Sequence, residues 1–154
     1  MEHSASYQAI FFPADDRLPH LVTLTATRLR TEPNSGAPYR CGHMPHPEVF
    51  MEHLADARGA PAWSYTAIDR LEGMSQPLAR PYVLFAPAAA RDGQPFPRNT
   101  YVRDVQGAFY EDDRAWRGNI VVAKYADLQF SAMVDASMAD FPIVKNWLTT
   151  HRAE

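Results

Sequence analysis

The sequence predicts an α+β fold: a single domain over residues 1–154, with a mainly antiparallel sheet of five to seven strands and two main helices. Three observations carry this. Apolar and polar residues alternate with period two in several short runs, helical spacing of apolar residues is confined to two segments, and 13 prolines punctuate the chain between them. Regular alternation of strand and helix, the mark of a doubly wound parallel sheet, is absent from this pattern.

The strands follow from their own chemistry. From Leu21 to Leu29, Val22, Leu24 and Ala26 fall on one face and Thr23, Thr25 and Thr27 on the other, which is a half-buried strand. Tyr7 to Phe12, Trp63 to Ile68, Tyr82 to Phe85, Asn119 to Tyr125 and Phe130 to Asp135 are short, β-branched or aromatic, and mostly bounded by turn residues. Tyr101 to Val105 is read as a further edge strand. The first helix is expected from about Pro47 to Arg58, with Pro47 in its first turn, Glu48 near the positive end of the dipole, and Phe50, Leu54 and Ala57 at helical spacing. Asp140 is placed to cap a closing helix that begins at Phe141-Pro142 and carries Ile143, Val144, Trp147, Leu148 and His151 on one face.

Composition bounds the function classes. At 154 residues and 46% hydrophobic, the chain can bury a core without staples. One cysteine excludes an intrachain disulfide, and the absence of a charged-apolar-small leader points to the cytoplasm or nucleus. No apolar run reaches the roughly 18 residues of a membrane span, and a net charge of -3 offers no general attraction to nucleic acid or anionic lipid. Neither a membrane nor a nucleic acid is therefore expected as a partner. Arg28, Arg30, Tyr39 and Arg40 form a basic-aromatic group without a domain-wide positive excess, and Asp104, Glu111, Asp112 and Asp113 lack the glycine and alternating oxygens of a calcium loop. Neither a phosphate-binding glycine loop nor a Gly-x-Ser-x-Gly elbow occurs.

The chemistry-bearing window is Cys41-Gly42-His43-Met44-Pro45-His46-Pro47-Glu48-Val49-Phe50-Met51-Glu52-His53, which holds the only cysteine and three of the six histidines. Cys41, His43, His46 and His53 are the candidate ligands for zinc or another transition metal, since thiolate and imidazole suit such ions. His43, His46, Glu48 and His53 are the candidate catalytic residues, and Glu52 is a second carboxylate in reach of the same helix. Cys41 as a nucleophile would need one of these histidines beside it as base. Against both ideas, the spacing matches neither His-Glu-x-x-His nor paired Cys-x-x-Cys, and histidines among prolines and a glycine are also what a solvated loop contains.

Arg117-Gly118-Asn119-Ile120-Val121-Val122 opens with a glycine that permits a tight bend and an arginine able to reach a carboxylate or phosphate. Together with Asp140-Phe141-Pro142, this stretch resembles uncharacterised proteins of mushroom-forming fungi. The resemblance covers the C-terminal third and implies an intracellular domain, with no functional residues to carry over.

Three readings follow. The first is a non-enzymatic small-ligand-binding or protein-interaction domain, with an exposed apolar patch or a pocket lined by residues such as Trp63, Tyr65, Tyr82 and Phe85. The second is a metal-dependent or histidine acid/base enzyme using the 41–53 cluster. The third is a structural homo-oligomer assembled through a sheet edge or the Trp147 helix.

Overall fold

The computed structural model describes residues 4–15, 17–27, 62–89, 95–128 and 133–153. Six strands are present among them: β1 (Ser4–Phe12), β2 (His20–Thr27), β3 (Ala62–Ile68), β4 (Tyr82–Ala89), β5 (Ile120–Tyr125) and the short β6 (Met133–Val134). All pairings are antiparallel, in the order β2-β1-β5-β4-β3. The mainly antiparallel α+β architecture expected from alternation is therefore the one observed.

β5 sits at the centre because its sequence suits burial on both faces. Ile120 and Val122 point to one side, Val121, Ala123 and Tyr125 to the other, and all five are buried. β6 pairs with β5 beyond the point where β1 leaves it: Lys124 faces Val134 and Tyr125 faces Met133, whereas Ile120 to Val122 face β1. The chain after β6 then turns back to β1. The Asp135 carboxylate accepts from the Gln8 N–H at 2.9 Å, and the Ala136 N–H donates to the Gln8 carbonyl at 2.9 Å. These bonds occupy main-chain groups of β1 that would otherwise lack a ladder partner.

Two helices of the described chain lie on one face of the sheet. α1 (Thr100–Gln106) occupies the segment in which Tyr101 to Val105 was expected to be a strand, and the correction has a clear cause. Alternation would place Tyr101, Arg103 and Val105 together, but Arg103 is exposed while Tyr101, Val102 and Val105 pack against the same core. That is a helical stripe. Asn99 starts it: its Oδ1 accepts from the Val102 N–H at 3.2 Å, while its Nδ2 donates to the Phe12 carbonyl at 2.9 Å and the Gly118 carbonyl at 3.0 Å. One buried amide thus caps α1 and ties it to β1 and to the turn before β5. Asn99→Ala removes the cap and leaves two buried carbonyls short of a donor. Urea unfolding should show a loss of about 2 kcal/mol.

α2 (Phe141–Leu148) is the closing helix, with Pro142 in its first turn as anticipated. Val144, Trp147 and Leu148 are buried and pack with Ile10, Phe12, Tyr82, Leu84, Ile120 and Val122. His151 lies beyond the helix end rather than on its face. The opposite face of the sheet carries a second buried cluster of Ala9, Phe11, Val83, Phe85, Val121, Ala123, Tyr125 and Met133. β2 and β3 are the outer strands, and residues 28–61 join them in sequence.

Candidate functional site

Cys41, His43, His46, Glu48, Glu52 and His53, and the helix expected from Pro47 to Arg58, lie outside the described residues, as do Arg28, Arg30, Tyr39 and Arg40. Among the described residues, no group of three or more histidine, cysteine, aspartate or glutamate side chains is placed to hold a metal ion. Asp104, Glu111 and Asp113 are exposed, and Glu111 faces Arg152 at 3.4 Å. Arg117 reaches a main-chain partner, with Nη1 donating to the Phe96 carbonyl at 3.0 Å.

The aromatic pocket expected from Trp63, Tyr65, Tyr82 and Phe85 does not form as one site. Tyr82 and Phe85 are three apart on β4, so they point to opposite faces, and both are buried in separate clusters. The side chains of Trp63 and Tyr65 lie outside the described residues.

Two polar clusters remain. The first is buried and centred on Asp140. Lys124 Nζ lies 2.8 Å from Asp140 Oδ1, the Tyr82 hydroxyl donates to the same oxygen at 2.7 Å, and the Ser137 N–H donates to Oδ2 at 2.8 Å. Asp140 was expected to cap α2 with its side chain. It occupies the N-cap position, but its carboxylate turns to the sheet and makes no bond to the helix N–H groups. Burial pushes this carboxyl up. The hydrogen bonds from Lys124, Tyr82 and Ser137 outweigh that and hold it below its ordinary value. The Tyr82 hydroxyl is pushed up, first by burial and then by its bond to the carboxylate. Both carboxylate oxygens of Asp140 are engaged by donors from the protein, so the cluster clamps α2 to β4 and β5.

The second cluster lines an open pocket of about 510 Å³ formed by Arg114, Thr150, His151, Arg152 and Ala153. Its wall is the segment after α2, held from two directions. Gln106 at the end of α1 donates through Nε2 to the carbonyls of Leu148 and His151, and Trp116 Nε1 donates to the His151 carbonyl at 3.0 Å. The Ala153 N–H then donates to the Arg114 carbonyl at 3.0 Å, joining the segment to the turn before β5. These anchors fix the backbone from which the His151 and Arg152 side chains project.

The His151 ring is itself oriented. It stacks on Trp147 with centroids 4.0 Å apart and planes at 9°, and Nδ1 lies 2.7 Å from the Trp147 carbonyl. A carbonyl only accepts, so Nδ1 is the donor of this bond, and in the neutral ring that tautomer leaves the lone pair on Nε2. The Thr150 hydroxyl lies 3.1 Å from the same Nδ1. Sequence reasoning missed this site because it assigned His151 to the apolar face of the closing helix and gave Arg114 no role. The signal available was local and faint: the polar run Thr149-Thr150-His151-Arg152 directly after an amphipathic helix.

Compared with protein-family models, curated proteins and solved structures, the chain finds no match. Among the described residues, no helix is long and apolar enough to cross a membrane.

Proposed function

We propose that this chain is a non-enzymatic small-ligand-binding domain whose ligand is a small anion seated in the pocket of Arg114, Thr150, His151 and Arg152. The observation that supports the reading is the lining itself: two arginines, a hydroxyl and an imidazole share one opening, and none of its lining residues among those described is acidic. Guanidinium groups present paired donors that match the oxygens of a carboxylate, sulfate or phosphate. Glu111 lies 3.4 Å from Arg152 and is 45% exposed, so water and salt screen that ion pair. A local positive site on a chain of net charge -3 favours a small anion over an extended polyanion, which the rest of the surface repels.

The test is calorimetric titration of the full chain with inorganic sulfate, phosphate and acetate, repeated on an Arg114→Ala/Arg152→Ala variant. One equivalent of anion should bind, and the variant should lose about 10-fold or more in affinity, as expected for charge-assisted hydrogen bonds. Arg114 is exposed and Arg152 only half-buried, so stability should move by no more than about 0.5 kcal/mol. Equal affinity in the variant, or no binding to the parent chain, would remove this reading.

A further inference from the structure

We infer that anion binding at this pocket is coupled to uptake of one proton by His151, so that the site takes up its ligand preferentially in acid. This rests on the reading of the pocket given above and adds the regulation of that site. Three features of the geometry support it. Nδ1 is already committed as a donor to the Trp147 carbonyl, so a second proton enters at Nε2 without breaking an existing hydrogen bond. Among the described residues Nε2 has no hydrogen-bond partner, so protonation turns an unused acceptor into a donor suited to an oxyanion. The indole of Trp147 lies flat against the ring at 4.0 Å, and an aromatic face attracts a cation more than a neutral imidazole.

The charges around His151 explain why the proton and the anion should arrive together. Arg114 faces the pocket from the turn before β5 and Arg152 from the same closing segment, while Glu111 pairs with Arg152. The groups offered by α1 and by the β5 turn, Gln106 and Trp116, are neutral and engage the His151 carbonyl. Glu154 lies outside the described residues. Without an anion, a third positive charge beside Arg114 and Arg152 is opposed, among the described residues, by two arginines whose nearest carboxylate in an ion pair is Glu111. With an anion in place the balance reverses, and protonation is favoured. By linkage the effect is reciprocal: whatever the anion does for proton affinity, the proton does for anion affinity.

Sulfate is the suitable probe, because it keeps its double charge across the range in which histidine gains a proton. The full chain is titrated with sulfate at constant ionic strength between about pH 8 and about pH 5. Affinity should rise about 10-fold as the pH falls, the equivalent of raising one histidine's proton affinity by about one unit on binding. At an intermediate pH, titration in buffers of different ionisation heat should show a net uptake of up to about half a proton with each sulfate, the most that a one-unit change allows. His151→Gln should bind more weakly than the parent and with a flat pH profile. His20→Gln, on the far edge of the sheet, should keep the rise. Failure of the parent to bind sulfate at any pH would overturn the pocket reading and this inference with it. Binding without proton uptake, or a pH rise that survives in His151→Gln, would overturn the inference alone and leave the pocket reading standing. The proton count on the parent chain decides the matter even where the variant does not fold.

Discussion

Replacing Asp140 with asparagine should cost about 3 to 5 kcal/mol in urea unfolding at neutral pH, the largest effect expected of any single change in this protein. The side chain is 8% exposed and its Lys124 partner 18%, so loss of the carboxylate leaves a largely buried ammonium group without its counter-charge. The asparagine amide keeps one oxygen to serve both the Tyr82 hydroxyl and Lys124, and its NH2 meets the Ser137 N–H, a second donor, so the clamp that holds the start of α2 against β4 and β5 is weakened. A surface ion pair would contribute far less, which makes the contrast with the exposed Arg17–Asp15 pair informative. Asp15→Asn should change stability by no more than about 0.5 kcal/mol.

The pH dependence of the same group has a definite sign. Its folded-state carboxyl lies below the ordinary aspartate value, so the unfolded chain takes up the proton first as the pH falls. The stabilisation is full above the unfolded value of about 3.9 and drains away as pH drops through the folded value. Unfolding curves collected down the acid range should therefore show a component in the parent chain that is missing in Asp140→Asn. A variant with the same acid sensitivity as the parent would mean that other carboxylates carry it. Lys124→Met combined with Asp140→Asn should cost less than the two single changes together, because removing both partners leaves no buried orphan.

Gly118→Ala should cost about 3 kcal/mol, the second largest effect, for two reasons that add. The residue has φ of +78°, a region that costs a side-chain-bearing residue about 1 to 2 kcal/mol. A Cβ there would also sit 2.5 Å from Pro87 Cγ and 3.3 Å from its Cδ, which is overpacking against buried atoms worth a further 1 to 3 kcal/mol or so. The backbone cannot easily yield, since the Gly118 N–H donates to the Pro97 carbonyl at 2.8 Å and its carbonyl accepts from Asn99. Gly107→Ala separates the two causes. Gly107 also has positive φ, at +48°, but nothing lies within 4 Å of an added Cβ, so it should lose the conformational cost alone, about 1 to 2 kcal/mol. Equal losses at the two positions would mean that conformation alone, and no collision with Pro87, sets the cost.

Particular elements show how far local pattern carries. The alternation in Leu-Val-Thr-Leu-Thr-Ala-Thr was enough to place β2, and the apolar run Ile-Val-Val-Ala placed β5. Segment 101–105 was misread because Tyr, Val and Val are strand formers by propensity, while the helix there depends on Asn99. That cap is stabilised by contacts with Phe12 and Gly118, residues that sequence distance hides. Asp140 was recognised at the right position and given the wrong bond, because its competing partners Lys124 and Tyr82 come from two other strands. The aromatic pocket failed on parity alone: an odd spacing on a strand sends two side chains to opposite faces.

By itself, the sequence determined the class of fold, the antiparallel character of the sheet, the apolar β5 strand and the closing amphipathic helix. Each of these follows from period and propensity, which act between near neighbours in the chain. Only the tertiary structure decided where Asp140 spends its charge, that Gly118 must remain a glycine, and that Arg114 shares a pocket with His151 and Arg152. Those outcomes depend on groups brought together across the sheet from distant positions, where electrostatic matching and steric exclusion operate through space and leave no periodic trace in the chain.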